Sequence, residues 1–357
     1  MCRWCRRTTS SADRVSVSAS GLARLGVLDQ VPIPAGSSAA QALDCTVALA
    51  QAAERLGYRR FWVAEHHNTT SLASSAPEVL IAHVAAHTSS VRVGAGGILL
   101  SHYSPLKVAE VFRTLHTLHP GRIDLGIGRA AGTDERTQAA LAHGPGALGD
   151  ECHPDQLADL LGFLHDRLGR DHPFAGVVAM PAGTTAPEVW VLGSSAYGAS
   201  LAAKLGLPFA FAHFVAPTFA AQVVAGYRRR FRPSRVCRAP IVALGVSVLC
   251  ADSDAEAERL AISGDRWRLR SEGSERGPLL AVEDAEAQAL TDVERARLAQ
   301  QRDRRITGAP DRVRAVLDEL RRATTADELV VLSICHDPAA RLRSYELLAD
   351  AFQLPAM

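Results

Sequence analysis

Apolar residues recur along this chain in two alternating rhythms. Short runs such as Phe61-Trp62-Val63 and Val189-Trp190-Val191-Leu192 are apolar at every position and read as strands buried on both faces. Longer stretches between them space their apolar residues three or four apart. Leu43, Val47, Ala50 and Ala53 do so within 39–56, which reads as an amphipathic helix. The punctuation agrees: Ser37 or Ser38 can cap that helix, Gly57 can end it, and Pro77 suits the first turn of the next. Strands are predicted over 24–28, 60–63, 91–100, 122–128, 189–192, 209–214, 241–249 and 329–334. Helices are predicted over about 39–56, 77–88, 105–119, 155–168, 197–205, 218–231, from 254 onward, and over 338–352. Eight strand–helix units predict an α/β chain closed into a (β/α)8 TIM barrel, with an open doubly wound sheet as the alternative that shares the alternation.

Two stretches break the rhythm. Residues 130–153 are rich in Gly, Ala and His. Residues 264–306 form a charged excursion, with Gly273, Gly277 and Pro278 near its start and a polar helical run over 283–305. Long excursions in a compact domain are commonly functional. The second is expected to be a mobile lid, the alternative being a plain surface insertion. Residues 1–20, rich in Ser, Thr and Arg, are expected to be a disordered arm, and 21–357 a single barrel domain.

Composition narrows the class. With 357 residues, 47% hydrophobic, 22% charged and a net charge of +1, the chain is an ordinary globular protein without the electrostatic footprint of a nucleic-acid or anionic-membrane binder. No apolar run is long enough for a membrane span. Seven cysteines, an odd and scattered set, predict reduced thiols in a cytoplasm. The lone Cys2–Cys5 pair among Arg3, Arg6 and Arg7 reads as part of a frayed terminus.

Candidate chemistry sits where the strands end, since a barrel gathers those ends at one mouth. The second strand leaves the core through Glu65, His66 and His67. Neighbouring residues point to opposite faces and no metal-ligand spacing appears, so no metal is expected. The imidazoles read as hydrogen-bonding or proton-transfer groups, or as satisfied turn residues. The third strand carries Gly94-Ala95-Gly96-Gly97, which points to close approach of a flat ligand, an unusual backbone, or a bulge at the rim. The fourth ends in Gly126-Ile127-Gly128-Arg129 and the fifth in Gly193-Ser194-Ser195 before a helix. Hydroxyls and N–H groups at a helix start suit a phosphate, and also describe an ordinary N-cap. Arg129 could meet the same phosphate, or make a surface ion pair.

Taken in order, Phe61-Trp62-Val63-Ala64-Glu65-His66-His67, Val91-Arg92-Val93-Gly94-Ala95-Gly96-Gly97 and Pro120 through Arg129 resemble the luciferase-like flavin-dependent monooxygenase family. Val191 through Ser195 and Ala339 through Leu348 extend the resemblance, which covers about residues 22–354. The opening Gly26-Val27-Leu28-Asp29-Gln30-Val31-Pro32 is similar to the single-chain bacterial branch often found in antibiotic clusters, in secondary metabolism. The resemblance implies a (β/α)8 barrel holding reduced FMN non-covalently. A separate flavin reductase supplies the flavin, and O2 reacts with it to a C4a-peroxyflavin that oxygenates a small organic substrate. By position, His66 matches the histidine at the flavin's reactive edge and His67 its neighbour. Gly96 and Gly97 match a pair joined by a cis peptide under the flavin ring. Arg129, Ser194 and Ser195 match phosphate contacts, together with the Gly193 turn and the Gly198 backbone. Gly128 stands where luciferase carries a reactive cysteine, and Ser194 where it carries an acidic residue; both departures count against light emission. The excursion at 264–306 falls where the family carries a flexible loop. Related barrels use deazaflavin F420 for hydride transfer, and a non-catalytic flavin-binding barrel is a third alternative. A homodimer is implied through helices two and three, with Ala82, Ala85, Ala86, Val108, Ala109 and Phe112 as its apolar surface.

Overall fold

The computed structural model describes residues 24–129, 132–142, 150–272 and 277–356. The arm expected over 1–20, with Cys2 and Cys5, lies outside the described residues. The chain runs β1 (Arg24–Asp29), α1 (Ala39–Arg55), β2 (Arg60–Val63), α2 (Pro77–Ala86), β3 (Arg92–Leu99), α3 (Pro105–Leu118), β4 (Ile123–Gly128) and α4 (Glu135–Ala142). It continues through α5 (His153–Leu164), β5 (Glu188–Gly193), α6 (Ala196–Leu205), β6 (Phe209–Ala212), α7 (Ala220–Arg230), β7 (Val242–Cys250) and α8 (Asp254–Glu272). The last elements are α9 (Val282–Ala287), α10 (Asp292–Gln301), β8 (Arg305–Gly308), α11 (Pro310–Thr324), β9 (Glu328–Leu332) and α12 (Pro338–Phe352).

Strands β1 to β7 and β9 pair in parallel, each with the next, and β9 pairs back onto β1. The barrel is closed and the expected (β/α)8 architecture holds. Each strand alternates between the two faces of the wall. Phe61, Val63, Val189, Val191, Leu329 and Val331 pack outward against the helices. Leu28, Trp62, Trp190, Ala210, Ala243 and Val330 form a separate cluster inside the barrel. Both faces are apolar, which is why the strands read as continuous hydrophobic runs.

The helix signals also hold. Ser38 and Gln41 form a capping box on α1, and Gly206 closes α6 at φ 63°, a left-handed position that favours glycine.

Three sequence expectations change. Residues 305–308 are a ninth strand: the barrel half of β7 pairs with β9, while Ser247–Cys250 runs on past the barrel and pairs with β8. Helix α11 went unpredicted, as did α4 within 130–153, while 143–149 lie outside the described residues. The single polar helix expected over 283–305 is instead α9, a break, and α10. In the described residues of the 264–306 excursion, the segment around Leu279 rests on the body. Ala35 N–H donates to Leu279 O at 2.7 Å, Leu279 N–H to Ile33 O at 3.1 Å, and Leu279, Val282 and Ala285 are buried.

The expected dimer surface also changes. Ala85, Val108, Ala109 and Phe112 are buried in the protomer's own core, leaving only Ala82 and Ala86 of the six at the surface. Among the described residues no helix is long and apolar enough to cross a membrane.

Candidate functional site

The site begins with what the alternation places inside the barrel. At the N-terminal ends of the strands the inward side chains are charged. Arg60, 1% exposed, pairs with Asp124, with Glu328 at 2.6 Å and with Glu188 at 3.6 Å. Arg92 joins from β3 through Nε to Asp124 at 2.9 Å. Burial works against the Arg60 cation, but the Asp124, Glu328 and Glu188 carboxylates outweigh it and hold its pKa above the ordinary value. Burial likewise opposes the Asp124 carboxylate, and Arg60 and Arg92 pull its pKa below the usual range.

Above this layer stand Trp62 and Trp190. Trp62 Nε1 donates to Asp124 at 2.9 Å and Trp190 Nε1 to Glu188 at 2.7 Å. The Arg60 guanidinium lies 4.7 Å from the Trp190 ring centroid and 5.2 Å from that of Trp62. The charges therefore orient two indoles, whose rings meet edge to face at 5.5 Å.

Toward the C-terminal ends the inward residues become small, and a cavity of about 320 Å3 opens there, with Trp62 in its wall. All eight residues expected to bind the cofactor line it: Gly96, Gly97, Gly128, Arg129, Gly193, Ser194, Ser195 and Gly198. The Gly96–Gly97 peptide is cis, and the β3–β4 register shifts between Ala95 and Ile98. A Cβ on Gly96 would stand 2.8 Å from Leu28 Cδ1 and 3.0 Å from Trp62 Cβ, and one on Gly97 would stand 2.7 Å from Gly126 O. Packing inside the wall therefore already demands glycine at these two positions. Gly193 and Gly198 differ: a Cβ on either would meet its neighbours only at 3.5 Å or more. The protein's own packing does not require glycine there, and the space those residues leave belongs to the cavity.

Helix α6 starts at this wall. Its N-cap Ser195 is extended and makes no side-chain cap bond, so the first-turn N–H groups and the positive end of the helix face the cavity uncapped. Arg129 stacks over the Tyr197 ring at 4.5 Å. A cation, two hydroxyls and helix-start N–H groups are the donor set of a phosphate site. The small-residue wall suits a planar group. The residues present thus fit a flavin mononucleotide.

His66 and His67 lie on the loop after β2 and, among the described residues, are not part of the cavity lining. They belong to a neighbouring polar cluster organised by Glu65, which is 3% exposed. Its carboxylate accepts from Leu99 N–H at 2.9 Å and from the Tyr103 hydroxyl at 2.7 Å, and His67 Nε2 lies 2.8 Å away. Burial, and then the Glu65 charge, push the Tyr103 hydroxyl pKa up. Burial, with a smaller contribution from His67, pulls His66 down to about 4. His66 is therefore neutral near pH 7, and its Nδ1 is buried with no hydrogen-bond partner. Such an orphan is what a hydrogen-bonding group awaiting a ligand looks like.

Sequence reasoning missed the Trp62–Trp190 layer, Tyr197, Tyr103 and the far wall made by β6, β7 and β9. Tyr197 was within reach, since it stands in the first turn of the helix that Ser195 opens. Glu65 stands beside the histidines in the sequence, but two of its three partners, Leu99 and Tyr103, come from the end of β3 and beyond.

Residues 23–328 match the model of the luciferase-like monooxygenases. A luciferase-like monooxygenase of Escherichia coli K12 is 40% identical over 325 residues, covering 91% of this chain and 95% of its own. The N-acetyl-S-alkylcysteine monooxygenase of Bacillus subtilis is 35% identical over 341 residues, covering 92% and 98%. The crystal structure of apo-MsnO8 superposes with a TM-score of 0.86 at 42% identity, covering 94% of this chain and all of the other. This chain belongs to the luciferase-like monooxygenase family of flavin-dependent oxidoreductases.

Proposed function

We propose that this chain is a monooxygenase that takes reduced FMN and O2 and inserts one oxygen atom into a small organic substrate. The observation that carries this reading is one cavity bordered by the cis Gly96–Gly97 peptide, by Arg129 and by the uncapped start of α6. When bound, the flavin supplies the activation of oxygen; the protein supplies binding, orientation and a dry site. Arg129, the Ser194 and Ser195 hydroxyls and the Gly198 N–H would hold the phosphate. The Gly96–Gly97 wall would bear the ring. His66, neutral at working pH, would share a hydrogen bond through Nδ1 with the reacting group, and Glu65 would hold His67 beside it.

A separate reductase would deliver the reduced flavin, and a homodimer in the cytoplasm is the expected setting. The five described cysteines are free thiols, which supports the location.

The test is fluorescence titration of the purified protein with FMN. Saturable binding is expected; its absence sinks the proposal. Parallel titration with F420 separates the two cofactors, and tighter F420 binding would favour hydride transfer without O2.

A further inference from the structure

The cavity has two unlike arcs. Its polar lining side chains, Arg129, His153, Ser194, Ser195 and Tyr197, all come from between the end of β4 and the start of α6. The opposite arc, from β6, β7 and β9, is made by Ala210, Ala212, Phe214, Val215, Gly245 and Val330. Among the described residues that arc carries no polar side chain. Of the undescribed residues after β4, 130–131 and 143–149 contain no Asp, Glu, Lys or Arg in their sequence, while 273–276, between α8 and α9, contain Glu275 and Arg276.

We infer that the apolar arc is the substrate subsite and that it takes a neutral, apolar molecule, with Ala212 and Gly245 setting its size. The inference rests on the flavin reading, which assigns the polar arc to the cofactor. A charged group entering the opposite arc would lose its hydration and, among the described residues of that arc, meet no counter-charge. An apolar group gains by the same transfer.

The space exists because the inward residues are small. Phe214 packs over Gly245, its N–H donating to Gly245 O at 3.3 Å. A Cβ on Gly245 would stand 3.0 Å from Phe214 Cε1, so any larger residue there drives the ring toward the cavity. The cysteine conjugate named for the Bacillus subtilis relative carries a carboxylate, and this arc offers such a group no partner.

The test compares two probes of one shape, methyl phenyl sulfide and 4-(methylthio)benzoate, on protein saturated with FMN. Binding is read from the perturbed visible spectrum of the bound flavin. The neutral sulfide is expected to bind at least tenfold more tightly than the carboxylate. Ala212→Leu and Gly245→Val are each expected to weaken the neutral sulfide at least tenfold while FMN affinity stays within twofold. Using two filling variants guards against one that fails to fold. Equal binding of the two sulfides, binding of neither, or filling variants that leave the neutral affinity unchanged would overturn the inference. Absence of FMN binding would sink the flavin reading instead, and the inference with it.

Discussion

Below Trp62 and Trp190 the barrel interior holds Arg60 against Asp124, Glu188 and Glu328, and both indole N–H groups donate into the same carboxylates. Toward the C-terminal ends of the strands, His66 keeps a buried nitrogen without a partner and α6 begins without a side-chain cap. The lower level is a closed electrostatic account in which every charge named has its counter-charge. The upper level is left open on one arc and apolar on the other. Charge at the bottom of this barrel makes structure, and polarity at its top awaits a ligand.

The sharpest way to break that contrast is Arg60→Met. Removing Arg60 leaves Asp124 and Glu188 to Arg92 alone and Glu328 to Arg59 at 3.8 Å, so the buried carboxylates outnumber their cations, and a loss of about 3–5 kcal/mol is expected in denaturant unfolding. A loss below about 1 kcal/mol would mean that the lower level is not the structural one. At the upper level, Arg129→Met should leave unfolding nearly unchanged. It should weaken FMN binding roughly tenfold to a hundredfold, the range for losing a charge-assisted hydrogen bond of about 1.5–3 kcal/mol. Unfolding damage with FMN affinity intact would reverse the assignment.

The glycines sharpen the comparison further. Gly96→Ala places a Cβ 2.8 Å from Leu28 Cδ1, and an overpacking cost of about 1–3 kcal/mol should appear as a lowered melting temperature. Gly198→Ala meets nothing closer than 3.5 Å, so the melting temperature should hold or rise while FMN affinity falls. Matching effects from the two variants would show that packing and ligand do not divide these positions.

The smallest expected effect is on pH dependence. His66 titrates near 4 in the folded chain and near 6.5 when unfolded. The unfolded chain therefore takes up the proton first, and stability present above pH 6.5 is lost as pH falls toward 4. His66→Gln should flatten the stability curve in that window; an unchanged slope would mean His66 is not held neutral by the fold.

Much of the barrel was legible because its signal is local. Phe61-Trp62-Val63 reads as a strand wherever it lies, the Gly96-Gly97 pair marks an irregular strand interior, and the cluster at 193–195 marks a strand end, all without knowledge of their neighbours. The short β8 was not legible. Arg305-Ile306-Thr307-Gly308 carries too few apolar positions to outweigh the charged helices before it, and only the overhang of β7 gives it a partner. The dimer surface failed for a related reason. Val108, Ala109 and Phe112 form an apolar stripe, and sequence cannot say whether such a stripe meets a partner or its own barrel.

The chain by itself determined the alternation that turns Asp124, Gly126 and Gly128 inward and Ile123, Leu125 and Ile127 outward, because a strand's two-residue period is fixed by the backbone. Only closure of the barrel decided that Arg60 would meet Glu328, 268 positions away, and that Arg129 would face an apolar wall built from β6, β7 and β9. Periodicity acts between neighbours in the chain. Charge pairing and cavity shape act between neighbours in space, and in this protein those neighbours come from opposite ends of the sequence.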